Sequence, residues 1–175
     1  GLSVSGILKP SYLKKMKSDP IIFAMANPDP EIMPDEARKI CPSAIIATGR
    51  SDLPNQVNNV LGFPYIFRGA LDVRASEINE EMKIAAVNAI AQLARKDVPD
   101  EVNNAYNENQ LIYGRDYIIP APFDPRLIVE ISCAVAEAAM KSGVAQKPIT
   151  DIHVYRKRLA RRLNPTAVSY THLRA

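Results

Sequence analysis

The stretch that decides the fold is Ala47-Thr-Gly-Arg-Ser-Asp-Leu-Pro-Asn-Gln-Val-Asn-Asn-Val-Leu-Gly-Phe-Pro-Tyr-Ile-Phe-Arg68, which repeats the pattern of the earlier run Ile21-Ile-Phe-Ala-Met-Ala-Asn-Pro-Asp-Pro-Glu31. Each run begins as a short apolar strand and ends abruptly in amides and prolines. Residues 21–26 and 44–47 are continuously apolar, which is typical of parallel strands that are buried on both faces. The sequence therefore predicts two adjacent strands of a buried parallel sheet.

Amide side chains follow both predicted strands. Asn27 comes after the first strand, and Gln56, Asn58 and Asn59 lie in the loop after the second. In an open α/β sheet, ligands bind in the crevice beyond the carboxyl ends of the strands. An amide offers donors and an acceptor without a charge, so it can orient a carboxylate, a hydroxyl or a carboxamide. We therefore expect Asn27 and Asn59 to face one crevice.

These amides also have a structural interpretation. Asparagine before proline favours a turn, which is a reasonable alternative role for Asn27, and Asn55 is interpreted as a loop residue. The structural interpretation is weaker for Asn58 and Asn59, because they follow a polar loop and precede an apolar, helix-like segment. Two further candidates border the same expected crevice: Gly49 and Ser51.

The rest of the chain predicts strands that alternate with helices and then helices alone. Residues 1–7 are interpreted as the end of a strand with its loop, and residues 97–123 as a long irregular connection. Helices are predicted from Pro10 to about Lys17, from Pro34, over residues 65–73, from a cap at Ser76 to Arg95, from Asp124 to Gly143 and over residues 151–163. The predicted fold class is α/β, a partial Rossmann-like doubly wound parallel sheet followed by packed helices.

Composition and charge limit the class of protein. The 175 residues are 47% hydrophobic and 23% charged, as in soluble globular proteins, and no apolar run approaches the length of a membrane span. Cys41 and Cys133 are too few for a disulfide framework or a metal cluster. We therefore expect a cytoplasmic setting without a membrane partner.

Part of the net charge of +3 lies near the C-terminus, in Arg156-Lys-Arg158 and Arg161-Arg162. Such a run can bind phosphate backbones. Apolar residues fall on the opposite side at helical spacing, however, so we interpret the run as the polar face of a helix and expect no nucleic-acid partner. A non-catalytic interaction module that uses this helix is the most distant alternative.

Taken together, several strings of the chain resemble the bacterial malic enzymes. They occupy residues 20–31, 47–50, 55–60, 63–72 and 117–124. The resemblance covers nearly all of residues 1–167 and identifies them as the C-terminal part of an NAD(P)-binding domain. Residues 168–175 break every pattern, and we interpret them as a non-native tail, with a native terminus as the alternative.

The resemblance implies an enzyme that converts malate to pyruvate and CO₂ with reduction of NAD or NADP, aided by Mg²⁺ or Mn²⁺. It implies that Asn27 and Asn59 bind cofactor and substrate, and that Asn58 also reaches the substrate. Which member of the Asn58–Asn59 pair points inward stays open. The full-length enzyme is expected to be a homo-oligomer.

The family's metal ligands, its proton-transferring Tyr and Lys, and its Gly-rich dinucleotide fingerprint are implied to precede this chain. We therefore expect neither a catalytic residue nor a metal ligand within it. Asp29, Glu31 and Asp52 are expected to serve turns and helix caps instead. The alternative within the same fold class is another Rossmann dehydrogenase, such as an amino-acid dehydrogenase.

Overall fold

The computed structural model describes residues 1–106 and 110–163, so the predicted tail lies outside the described residues. The chain divides into two compact units, residues 1–58 with 94–122, and residues 59–93 with residues from 123 onward. The elements are α1 (Pro10–Leu13), β1 (Ile21–Ala24), α2 (Pro34–Ile40), β2 (Ile45–Thr48), a 3-10 helix (Asn59–Leu61), α3 (Phe63–Asp72), α4 (Glu80–Ala94), α5 (Asp100–Ala105), α6 (Arg126–Lys141) and α7 (Ile152–Leu163).

The two predicted strands form a parallel sheet in the first unit. Ile21 pairs with Ile45, and Ala24 pairs with Thr48, so both strands end at the same edge. β1 ends two residues earlier than predicted, and the backbone amide of Ala26 is bound by a side-chain carboxylate at 2.9 Å. The predicted α/β class with a parallel sheet is confirmed.

The prediction that both faces of the strands are buried is wrong for β1. Ile22 and Ala24 lie in the core, whereas the side chains of Ile21 and Phe23 are 63% and 44% exposed. Successive strand side chains point to opposite faces of a sheet. One face of β1 packs on a cluster in the first unit that includes Leu13, Ile32, Ala37, Ala44 and Ile46. The apolar residues on the other face of β1 remain accessible in the described part of the chain.

Two irregular segments also differ from prediction. No strand is assigned to residues 1–7, although the carbonyl oxygen of Gly1 accepts a hydrogen bond from the Met25 amide at 3.0 Å. Residues 97–123 are not wholly irregular, because α5 forms after Pro99 with two acidic residues in its first turn. Acidic side chains there interact favourably with the helix dipole. Val102 of α5 packs with Tyr117 and Ala121 in a small core.

In the second unit, α3 and α6 approach closely at Gly69. A Cβ atom added to Gly69 would lie 2.6 Å from the Ser132 carbonyl oxygen and 2.9 Å from the Val135 Cβ. The Ser132 hydroxyl donates a hydrogen bond to the Tyr65 carbonyl oxygen at 3.1 Å, across the same contact. The side-chain-free surface of Gly69 therefore allows the two helices to pack.

Helix ends follow local side-chain chemistry, with one correction. Ser76 does not cap α4: the Asn79 carboxamide oxygen accepts from the Met82 amide at 3.1 Å, and the helix begins at Glu80. An asparagine side chain reaches the amide three residues ahead, which Ser76 is too early to do. Asp151 caps α7, accepting from the backbone amides of His153 and Val154 at 2.8 and 3.0 Å, at the predicted start of that helix. Gly143 follows α6 at φ +79°, as predicted for a helix end.

Two arginines of the basic helix α7 lie close to carboxylates of the second unit. Arg156 pairs with Glu130, and Arg158 lies 3.9 Å from the Asp72 carboxylate. Tyr155 is buried beneath the Arg158 guanidinium, and its hydroxyl donates to Asp72 at 2.9 Å. These contacts support the interpretation of the basic run as one face of a packed helix.

The two cysteines are free thiols in different surroundings. Cys41 is half-buried, with its Sγ 3.7 Å from the Leu13 carbonyl oxygen. Cys133 is buried in the second unit, and that burial raises the pKa of its thiol to about 11. None of the described helices is long and apolar enough to cross a membrane.

Candidate binding loops at the carboxyl edge of the sheet

Two loops leave the sheet at its carboxyl edge, residues 25–31 after β1 and residues 49–58 after β2. We call them the carboxyl-edge loops. Gly49 lies beside the end of β1, because a Cβ there would be 3.9 Å from the Met25 carbonyl oxygen. Arg50 also joins the loops, with its guanidinium 3.5 Å from Asp29 and 2.7 Å from Asp52. The parallel register thus brings both loops together in the first unit.

Asn27 lies exposed in the first carboxyl-edge loop, before Pro28 in a cis peptide bond. Its side chain forms no hydrogen bond with any residue in the described ranges 1–106 and 110–163. An asparagine that only stabilised a turn would be expected to bond its own backbone nearby. The exposed amide is therefore available to a ligand.

The Asn58–Asn59 pair lies where the two units divide. Both side chains are exposed, Asn58 as the last residue of the first unit and Asn59 as the first residue of the second. The Asn59 carbonyl oxygen accepts from the Gly62 amide at 3.1 Å, whereas its side chain makes no hydrogen bond within the described part of the chain. A shared crevice for Asn27 and Asn59 stays a prediction.

Asn55 is more than the loop residue expected from sequence. Its side chain is buried, donates to the carbonyl oxygens of Ile46 at 2.9 Å and Arg115 at 2.6 Å, and accepts from the Ile118 amide at 2.8 Å. Its φ of +55° is a left-handed conformation that asparagine adopts more readily than most residues. Asn55 therefore fixes the second carboxyl-edge loop to β2 and to residues 115–118.

Glu31 is the other residue whose importance sequence reasoning missed. Its carboxylate is 2% exposed and accepts from the backbone amides of Ala26 and Ser3, each at 2.9 Å. Burial favours the neutral acid, but these amides and that of Glu31 itself outweigh burial and lower the pKa of the carboxyl below its ordinary value. Glu31 was expected to serve a turn or helix cap, and the structure shows instead a buried carboxylate that accepts from two backbone amides outside any helix.

A cleft of about 500 Å³ lies beside the second loop in the first unit. Ser51 and Gln56 line it, together with mainly apolar side chains from residues 111–122. Neither Asn27 nor Asn58 lines this cleft. The cleft and the exposed amide of Asn27 are therefore separate features of the first unit.

The acidic residues of the loops are engaged in ion pairs or hydrogen bonds. Asp29 and Asp52 share Arg50, and the hydrogen bond from Arg50 is the main cause that lowers the pKa of Asp52. Within residues 1–106 and 110–163, no group of three or more His, Cys, Asp or Glu side chains could hold a metal ion. Beside these ion pairs, the edge carries the uncharged, exposed amide of Asn27, which can donate and accept hydrogen bonds.

Comparison with known sequences gives consistent results. Residues 2–108 match the family described as malic enzyme, NAD binding domain. The chain is 62% identical over 167 residues to the NADP-dependent malic enzyme of Rhizobium meliloti and 58% identical over 161 residues to the NAD-dependent malic enzyme of the same organism. These matches cover 95% and 92% of the chain.

A solved structure is similar as well. The crystal structure of malic enzyme from Pyrococcus horikoshii matches 98% of this chain with a TM-score of 0.74 at 41% sequence identity. The chain covers 36% of that structure, and it spans 22% and 21% of the two Rhizobium meliloti proteins. It thus corresponds to about a fifth of each of these two relatives.

Proposed function

Because the chain belongs to the malic enzyme family, we propose that it serves an enzyme that converts malate to pyruvate and CO₂ with reduction of NAD or NADP. The observation that carries this proposal is the match of residues 2–108 to the family's NAD binding domain. It favours this interpretation over an amino-acid dehydrogenase or a non-catalytic module. One named relative is NADP-dependent and another is NAD-dependent, so either dinucleotide is proposed as the hydride acceptor.

Within that enzyme, Asn27 and Asn59 bind the cofactor and the substrate, and Asn58 contacts the substrate. The support is a contrast among asparagines in the chain. The side-chain amide of Asn55 forms hydrogen bonds with three backbone groups. The side chains of Asn27 and Asn59, in contrast, are exposed and form no hydrogen bond with a described residue. An unengaged amide can pair with the carboxamide of a nicotinamide or with a carboxylate or hydroxyl of malate.

The amides suit the dinucleotide, and the described acidic side chains do not suit a metal. When bound, Mg²⁺ or Mn²⁺ would polarise the substrate hydroxyl as a Lewis acid. Its ligands are proposed to lie outside this chain, because Asp29 and Asp52 are paired with Arg50. The role proposed for Asn27, Asn58 and Asn59 is then to bind and orient the cofactor and the substrate. We also propose a homo-oligomer in the cytoplasm.

The test grafts this chain into a relative. In the grafted enzyme, the 167 residues of this chain that match the Rhizobium meliloti NADP-dependent malic enzyme replace the corresponding segment of that enzyme. The purified protein is assayed for malate-dependent reduction of NAD and NADP and for pyruvate, beside the unaltered relative. We expect the grafted enzyme to form pyruvate and a reduced dinucleotide. A soluble, folded graft without malate-dependent reduction, beside an active unaltered enzyme, would refute the proposal.

A further inference from the structure

The loop that carries Asn27 is closed by a single side chain. Glu31 Oε2 accepts from the Ala26 amide at 2.9 Å, so one hydrogen bond joins the residue before Asn27 to the end of the loop. Asn27, Pro28 and Asp29 lie exposed between these two anchored positions, whereas Ala26 and Glu31 are buried. The loop is thus fixed at its base and presents Asn27 outward.

The same carboxylate fixes the loop to a second segment. Glu31 Oε1 accepts from the Ser3 amide at 2.9 Å, and the Glu31 carbonyl oxygen accepts from the Leu8 amide at 3.1 Å. A weaker bond of 3.4 Å runs from the Gly6 amide to the Pro30 carbonyl oxygen. Residues 3–8 therefore hold the far end of the Asn27 loop in place.

An ionised carboxylate is well suited to this position. Each of its two oxygens accepts from one backbone amide, and it donates nothing. A glutamine would keep one acceptor and place an NH₂ group against the other backbone N–H. Because the site is buried, the unmatched donors would be costly, and the loop would shift to relieve them. The two hydrogen bonds of Glu31 thus require the charge of its carboxylate as well as the length of its side chain.

We propose that Glu31 is a positioning residue that holds the Asn27 amide in the geometry needed for hydride transfer. Glu31 acts through Asn27 and touches neither substrate nor cofactor. The proposal rests on the function proposed for Asn27. Small displacements of an orienting group reduce the rate strongly, because the reacting atoms must be aligned within a narrow range.

The test compares Glu31→Gln with the matched control Glu36→Gln in the grafted enzyme. Glu36 lies exposed in the first turn of α2, so its replacement makes the same charge change away from the loop. Kinetics are measured on folded, active enzyme well below each thermal midpoint. For Glu31→Gln we expect kcat/KM for malate to fall about tenfold to hundredfold, mainly through kcat. Glu36→Gln should match the parent graft.

A double-mutant cycle with Asn27→Ala separates positioning from general stability. If Glu31 acts through Asn27, adding Glu31→Gln to Asn27→Ala should reduce kcat/KM little further. Two independent effects would multiply instead and would overturn the inference. So would a Glu31→Gln enzyme with a lowered thermal midpoint and normal kinetics.

Two outcomes separate this inference from the proposed function. If Asn27→Ala impairs catalysis and Glu31→Gln does not, the inference fails and the role of Asn27 stands. If Asn27→Ala has no effect, both the inference and the proposed role of Asn27 fail.

Should Glu31→Gln not fold, Glu31→Asp takes its place in the cycle, because it keeps the charge and both oxygens on a shorter side chain. A kinetic loss that vanishes in the Asn27→Ala background supports the inference, and an unchanged kcat/KM overturns it.

Discussion

Four asparagines of the described residues fall into two groups according to the hydrogen-bond partners of their side chains. Asn55 and Asn103 each bind backbone groups in the first unit; Asn103 accepts from the Leu111 amide at 2.8 Å and donates to the Val98 carbonyl oxygen at 3.3 Å. Asn27 and Asn59 do neither within the described ranges. Sequence alone does not separate the two groups, because two partners of Asn55, Arg115 and Ile118, lie far along the chain.

We predict that Asn59→Ala in the grafted enzyme impairs catalysis with little loss of stability. Loss of a hydrogen bond to a charged ligand group costs roughly 1.5–3 kcal/mol, or about a tenfold to hundredfold fall in catalytic efficiency. Asn58→Ala is the neighbouring control, and both variants are compared by malate kinetics and thermal melts. Normal kinetics with a lowered melting temperature for Asn59→Ala would refute its site role. A strong kinetic loss at Asn58 alone would move that role by one residue.

Asn55→Ala should show the opposite behaviour and lower stability. The change removes one buried and two partly buried hydrogen bonds and leaves the Ile118 amide without its acceptor, at a cost of about 2–4 kcal/mol. Urea denaturation of the grafted enzyme measures this loss. Asn104→Ala, at an exposed position of α5, is the control and should change little. Equal stability of the two variants would contradict the structural role of Asn55.

Glu31 should make stability depend on pH in the acidic range. Its folded-state pKa lies below the ordinary value of 4.5, so the ionised form stabilises the fold above that pH. The contribution is lost as pH falls through the folded-state pKa, because the unfolded chain then binds the proton more readily. The gap in thermal midpoint between parent and Glu31→Gln should therefore narrow on acidification. A gap that stays constant or widens would contradict this sign.

At the scale of elements, both strands and several helix starts could be predicted because their signals are local. Apolar runs and prolines need no distant partner. The burial of β1 could not be predicted, because it depends on what covers each face of the sheet. The helix α5 was missed because prolines and polar residues around it indicate a loop, while its stability comes from Val102 packing on Tyr117.

The contact between α3 and α6 gives a prediction at this scale. Gly69→Ala should destabilise the grafted enzyme by about 1–3 kcal/mol, because the new methyl group would overlap the Ser132 carbonyl oxygen and the Val135 side chain. Gly62→Ala is the matched control, since its Cβ would lie 3.6 Å from Ile66, an ordinary contact. Urea denaturation compares the two variants. A Gly69→Ala protein as stable as the Gly62→Ala protein would show that the helices separate at little cost.

At the scale of the whole molecule, family strings predicted the fold class and the family, and parallel pairing brought the carboxyl-edge loops together as expected. The roles of Glu31 and Asn55 could not be predicted in the same way. Both residues are polar and loop-bound in sequence, and their burial arises from backbone groups as far away as Ser3 and Ile118. The ligand-facing role of Asn27 and Asn59 stays a prediction, whereas the structure shows that Glu31 and Asn55 fix the loops.

We predict that this chain expressed alone does not oxidise malate. Its described residues hold no metal-binding group, and the family's proton-transfer residues are proposed to lie outside it. The purified chain is mixed with malate, Mg²⁺ and either dinucleotide, and reduction is followed spectroscopically beside a reaction without protein. Reduction above that background would contradict the prediction.

Each unit contains one free thiol, and the two thiols differ in their accessibility to chemical reagents. Cys41 in the first unit is half-buried, whereas Cys133 in the second is buried and has a pKa of about 11. A thiol reacts with maleimides as the thiolate, so a fluorophore added near neutral pH should attach to Cys41 first. Slow labelling of Cys133 would then report transient opening of the second unit. One maleimide reagent can therefore label the first unit at Cys41 and, through the rate at which Cys133 reacts, measure how often the second unit opens.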